Sequence, residues 1–102
     1  MKIAGFDWDE GNREKCQKHG VTIAEIEGLF AGELLVAPDM AHSASEERWI
    51  AVGRGWAKRA MFVAFTLREL DERTFVRPVS ARFMHKKEAD RYDQIANEGS
   101  AS

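Results

Sequence analysis

The chain has 102 residues, 44% of them hydrophobic and 31% charged, which is enough for one globular domain with a modest core and too little for two. No apolar run approaches the roughly 18 to 20 residues that cross a bilayer, and the start MKIAGFDWDE lacks the basic-then-apolar layout of a secretory signal, so no membrane contact and a cytoplasmic location are expected. The net charge of -2 hides an asymmetry: residues 1–47 carry four Lys/Arg against ten Asp/Glu, whereas residues 48–91 carry eleven against five, so a local basic face is possible but the sequence pI near 5.9 argues against indiscriminate nucleic-acid binding.

Gly5-Phe6-Asp7-Trp8-Asp9 reads as a short strand or extended entry. A polar helix follows to His19, with Asp9 or Asn12 as N-cap and Gly20 at the position after the C-cap. Thr22 with Glu25 three residues later forms a capping box, Val21 and Ile26 are placed as its hydrophobic staple, and Ile23, Ile26, Leu29 and Phe30 share one face of a second helix that stops near Gly32. Leu34 to Ala37 is a short apolar run ended by Pro38-Asp39, and AHSASEE after it reads as a loop. Three strand-like segments, Arg48 to Arg54, Arg59 to Arg68 and Thr74 to Phe83, are joined by Gly55 to Lys58 and Glu69 to Glu72, short enough for antiparallel hairpins. Pro78 cannot donate to a ladder, so it marks a sheet edge or a bulge. Met84 to Ala96 has a helical stripe of Ala89, Tyr92, Ile95 and Ala96, with residues 97–102 expected to fray. The expected fold is therefore α+β over a single domain, 1–102: a short N-terminal strand, two helices, an antiparallel sheet of about four strands and a C-terminal helix.

Few residues stand out for chemistry. Lys18-His19-Gly20 suffices as a helix end, because cations in a last turn interact favourably with the helix dipole and glycine is the commonest residue after the cap. The same pair is also a candidate general acid or base. Arg54, Arg59 and Arg82 fall at or near strand ends and offer planar forks of donors suited to phosphate. Trp8, Trp49 and Trp56 are aromatic surfaces on which a base can stack; Trp49 belongs with the core, and Trp56 in a turn is the more exposed. Ser80 and Thr66 are read as structural hydroxyls, and His42 and His85 receive no role. The lone Cys16 excludes an intramolecular disulfide, no metal-ligand spacing is present, and P-loop, GxGxxG and HExxH motifs are missing, so neither a metal nor a cofactor is expected.

Taken together, Phe6-Asp7-Trp8-Asp9, Lys18-His19-Gly20-Val21 with Glu25, Glu47-Arg48 leading to Gly53-Arg54, Arg59 before an apolar strand ending in Thr66, and Val79-Ser80-Ala81-Arg82 with Glu88 and Tyr92 downstream resemble the BrnT toxins. The resemblance runs in order over nearly the whole chain. It departs at Pro78, which replaces the usual β-branched residue, and at the stretch between Trp8 and His19, one residue shorter than the commoner pattern. It implies a RelE-like fold and a ribonuclease toxin of a type II toxin–antitoxin system. The implied partner is a BrnA-like antitoxin with a ribbon-helix-helix DNA-binding domain, in a heterotetramer containing a toxin dimer, so that DNA is met only through the antitoxin.

Matched position by position, the resemblance places Lys18, His19, Arg59 and Arg82 in the candidate active site, with Trp8 close by. Arg54 and Trp56 are added as candidate substrate-binding residues from their positions. The expected activity is metal-independent endoribonuclease cleavage of RNA by attack of a ribose 2′-OH on the adjacent phosphate. The alternative is a non-catalytic binding module, such as a degenerate toxin, whose basic sheet face holds an acidic partner or nucleic acid.

Overall fold

In the computed structural model, which describes residues 2–41, 46–56 and 59–101 apart from the side chains of 98–101, an alternation of period two along residues 61–65 divides the molecule. Met61, Val63 and Phe65 are wholly buried, whereas Phe62 and Ala64 point the other way and line a cavity, as successive residues of a strand must. The elements, in order, are β1 (Gly5–Phe6), α1 (Glu10–Gln17), α2 (Ile23–Ala31), β2 (Leu34–Pro38), β3 (Trp49–Gly53), β4 (Met61–Leu70), β5 (Arg73–Phe83) and α3 (Lys86–Ala101). They form one five-stranded sheet in the order β1-β5-β4-β3-β2. The expected α+β order holds, with β2 to β5 antiparallel. The N-terminal strand joins the same sheet, parallel to β5 through Gly5 opposite Phe75 and Phe6 opposite Val76.

The two short helices close the apolar face. Asp9 is the N-cap of α1: its side chain accepts from the Asn12 backbone N–H at 3.0 Å, while the Asp9 N–H donates to Asn12 Oδ1 at 2.7 Å. Asn12 is thus the partner of the cap rather than the cap. Thr22 and Glu25 form the reciprocal box at the start of α2, with bonds of 2.9 and 3.1 Å. Val21 and Ile26, placed as its staple, are both buried in the core. Cys16, Val21, Ile26, Leu29 and Phe30 pack with Ala51, Met61, Val63, Phe65 and Val76 in one cluster, tightened by edge-on contacts of Phe30 with Phe6 and Phe65. Gly55 (φ +56°) lies so close to α2 that a Cβ there would be 2.8 Å from the backbone of Gly28, so only glycine fits.

Pro78 sits at a bulge. Ala64 pairs with Ser80 and Phe65 with Pro78, leaving Val79 as the extra residue. β5 lies inside the sheet, between β1 and β4, so the edge alternative does not apply. The bulge reverses parity: Val76 and Pro78 are buried before it and Ala81 after it. Ser80 and Arg82 therefore turn to the opposite face, where they line the cavity.

Asp71 (φ 51°) and Glu72 (φ 63°) alone form the β4–β5 turn, so β4 both starts and ends two residues later than expected and β5 starts one residue earlier. The C-terminal helix likewise continues through Ala101, past the expected fraying point, with no proline in residues 86–101 to stop it. Residues 42–45 of the expected loop and 57–58 of the connection after Trp56 lie outside the described residues.

Candidate active site

His19 is delivered to the site by the docking of α1. Asn12, buried beneath the helix, donates from Nδ2 to Asp7 O at 3.0 Å and to Pro78 O at 2.9 Å, tying the first turn of α1 to the bulge of β5. Arg77 reinforces this attachment, reaching Asp9 at 2.7 Å and Asp7 at 3.5 Å. The Asn12 backbone N–H, and then Arg77, hold the Asp9 carboxyl below its ordinary value. At the other end of α1 the Gly20 N–H donates to Gln17 O at 3.1 Å, and Gly20 takes the left-handed conformation (φ +89°) that ends the helix. Cys16, wholly buried under this last turn, has its thiol pushed up to about 11 by burial, so it is a packing residue and not a nucleophile.

The cavity encloses about 580 Å³ and is lined by His19, Asp39, Arg48, Ile50, Phe62, Ala64, Ser80, Ala81, Arg82 and Glu88. Its floor follows from register: Ile50 pairs with Ala64 and Ala64 with Ser80, while Phe62 pairs with Arg82. Three basic side chains, His19, Arg48 and Arg82, meet two carboxylates there, Asp39 and Glu88. The Asp39 backbone N–H donates to Arg48 O at 2.8 Å, joining the end of β2 to the start of β3.

Arg82 is the most constrained of the basic groups. Its guanidinium carbon lies 4.4 Å from the centroid of the Phe62 ring. Nη1 and Nη2 each donate to one oxygen of Glu88 at 2.9 Å, and Nη1 also faces Phe83 O at 3.3 Å. Glu88 in turn accepts the His85 backbone N–H at 3.1 Å, capping α3, and its Oε1 lies 3.2 Å from His85 Nε2. The hydrogen bonds from Arg82, followed by those at His85, hold the Glu88 carboxyl down at about 2, so it is ionised under all ordinary conditions.

Of the residues singled out in sequence, the structure brings His19 and Arg82 into this cavity and leaves the others outside its wall. Lys18 is exposed next to His19. Arg59 is exposed and stacks over Phe83 at 4.5 Å, one residue beyond Arg82 on the strand. Arg54 makes a two-pronged contact with Asp93 of α3 at 2.7 and 2.8 Å, which explains its position by helix docking. Trp56 is 65% exposed and lies against Gly28, where a Cβ would come within 2.1 Å of its indole nitrogen. Trp8 donates from Nε1 to Glu27 at 2.9 Å, and Arg13 stands over its ring. Both tryptophans are thus engaged at the helical layer, away from the cavity lining. Arg48, Asp39 and Phe62 line the cavity without having been singled out for chemistry, and Ser80 had been read as structural. Arg48 carried a signal, since it stands at the start of a strand-like segment as Arg59 does.

A family profile described as the ribonuclease toxin, BrnT, of a type II toxin-antitoxin system matches residues 8–88. No curated protein matches the chain. The matched stretch reaches from the tryptophan before α1 to the glutamate that holds Arg82, and so spans every cavity residue.

Proposed function

The chain belongs to the BrnT family of ribonuclease toxins of type II toxin–antitoxin systems, and from that premise we propose that it is a metal-independent endoribonuclease acting at the cavity on the α3 side of the sheet. The observation that carries the reading is the meeting of His19 from a helix end with Arg82 and Arg48 from two strands around one concavity. In the proposed reaction a ribose 2′-oxygen attacks the adjacent phosphorus. The O2′–P bond forms, the P–O5′ bond breaks, and the products are a 2′,3′-cyclic phosphate and a free 5′-hydroxyl. One proton leaves the 2′-OH and one reaches the departing 5′-oxygen. An imidazole serves either transfer, because histidine as a residue type changes charge near neutral pH. Lys18 stands beside it to assist. The extra negative charge of the five-coordinate phosphorus falls to Arg82 and Arg48, and Arg59 holds the strand on the outer side of Arg82.

The family implies an antitoxin partner and RNA as substrate. We assign the antitoxin the BrnA-like ribbon-helix-helix type and the complex a heterotetramer in the cytoplasm, in keeping with the family resemblance. No described helix is long and apolar enough to cross a membrane. Expression of this protein alone in bacteria is expected to arrest growth, with His19→Ala and Arg82→Ala each relieving the arrest. The purified protein is expected to cleave RNA in the presence of a chelator. A harmless wild type that leaves RNA intact with and without ribosomes contradicts the proposal. If the same variants weaken antitoxin binding while RNA is never cut, the basic face serves as a binding module instead.

A further inference from the structure

We propose that Glu88 is a positioning residue of the active site, holding the Arg82 guanidinium so that one edge of it, formed by Nε–H and the second Nη2–H, is presented to a phosphate of RNA. The inference rests on the proposed reading of the cavity as a phosphate site, and it addresses what the ion pair does there. A carboxylate on an arginine in such a site has two opposite consequences: it competes with the phosphate, or it braces the arginine for it. The atoms decide between them. A guanidinium has five N–H bonds in one plane. Glu88 takes one from Nη1 and one from Nη2, the end of the fork, and Phe83 O faces the inner N–H of Nη1. The remaining two, on Nε and on the Nη2 beside it, have no partner among the described residues, and they lie side by side along the long edge of the plane. That edge is itself a two-donor fork of the kind that meets two phosphate oxygens.

Three contacts fix the orientation of that edge. Phe62 covers one face of the plane at 4.4 Å. Glu88 holds the end. The third is the anchoring of Glu88 itself, through the His85 backbone N–H at the start of α3. The carboxylate therefore does not swing with a mobile side chain, and a long, otherwise flexible arginine is held by a helix terminus, a strand carbonyl and a ring. Arg82 remains 48% exposed at its side chain, which leaves the open edge accessible from the cavity. Pre-orientation of this kind removes the ordering cost from the moment of reaction.

The test uses the full chain with Glu88→Gln and Glu88→Ala. Glutamine keeps an oxygen to accept the His85 N–H, so a role confined to capping α3 is preserved in Glu88→Gln, whereas the ionic brace on Arg82 is lost in both variants. The Arg82 Nε–H resonance is followed by NMR during titration with a 2′-O-methylated oligoribonucleotide, which carries the phosphates and cannot begin the attack. In the wild type this resonance is expected to shift on binding, and Glu88→Gln is expected to weaken that response while its circular dichroism spectrum stays that of the folded wild type. With a cleavable RNA, Glu88→Gln is expected to lower kcat by about 10-fold to 100-fold and KM much less, the scale of a small misplacement of a catalytic contact. A wild-type Nε–H resonance that ignores the oligonucleotide overturns the proposal. So does a Glu88→Gln protein that binds and turns over as well as, or better than, the wild type, since Glu88 would then be neutral or a competitor. A loss in Glu88→Ala that is fully restored in Glu88→Gln assigns the residue to the helix cap alone and overturns it too. If the resonance responds as expected but no RNA is cut, the nuclease reading fails and the positioning role stands.

Discussion

The two faces of the sheet are written by alternate residues of the same strands, and they obey different rules. On the side of α1 and α2, Met61, Val63, Phe65, Ala51 and Val76 are wholly buried with Leu29 and Ile26. On the side of α3, Ile50, Phe62, Ala64, Ser80 and Arg82 face a cavity with five ionisable side chains around it. The first face is closed by shape and excludes water; the second is held open by ion pairs, Arg82 with Glu88 and Arg54 with Asp93, that attach α3 at two points. The apolar groove beside the cavity, where Tyr92 and Ile95 approach Leu35, Val52 and Phe62, is only part-covered, with Leu35 and Ile95 about half exposed. A domain of this size can give one face to stability and one to a site because strand alternation separates the two.

The sharpest way to probe this contrast is to remove one phenylalanine from each face. Phe65→Ala, in the closed core, is expected to cost about 3 to 5 kcal/mol of unfolding free energy, a large part of the total for a small domain. Phe62→Ala, part-buried on the opposite face of the same strand and beneath Arg82, is expected to cost much less stability and more cleavage activity. Urea titration followed by an RNA cleavage assay separates the two. Equal losses of stability break the contrast.

Acid is expected to weaken the attachment of α3. The carboxyl of Glu88 is moved from its ordinary 4.5 down to about 2 in the folded protein. Its stabilising contribution is therefore complete above its unfolded value, near pH 4.5, and is lost as pH falls toward 2. Glu88→Gln is expected to flatten the fall of stability across that window, as read by melting temperature against pH. An unchanged slope contradicts the assignment of the ion pair.

The smallest effect belongs to a position that serves neither face. Asp71 and Glu72 both adopt positive φ in the β4–β5 turn, where a side chain is strained and glycine is not. Glu72→Gly is expected to gain about 0.5 to 1 kcal/mol, the strain relieved less the entropy glycine adds to the unfolded chain. Cleavage is expected to be unchanged, and a loss of stability would show that the turn is not strained.

Local signals were readable in the sequence and distant pairings were not. The Thr22–Glu25 box and the glycine after His19 depend on residues within one helical turn, so their geometry follows from residue type alone. Pro78 announced an interruption because it lacks an N–H, but only the pairing of β4 with β5 shows that the interruption is a bulge at Val79 and that it turns Arg82 outward. The two residues of β1 are too few for any periodicity, and their partner strand lies some seventy positions on, so membership in the sheet had no local trace. The arginines near strand ends looked alike in sequence. What separates Arg82, in the cavity, from Arg54, clasped by Asp93, and Arg59, stacked on Phe83, is which carboxylate or ring of a later element reaches each of them. Glu88 shows the same limit: its place three residues after His85 suits a cap, yet its second duty toward Arg82 depends on how α3 leaves β5.

The central claim is that His19 and Arg82, sixty-three positions apart in the chain, act on one phosphate. A double-mutant cycle in single-turnover RNA cleavage tests it directly, using His19→Ala, Arg82→Ala and the pair, each checked for an unchanged melting temperature. Groups that serve one transition state are expected to be strongly non-additive, with the double variant scarcely slower than the worse single one. Two losses that multiply independently, or a cleavage rate that ignores either substitution, contradict the claim.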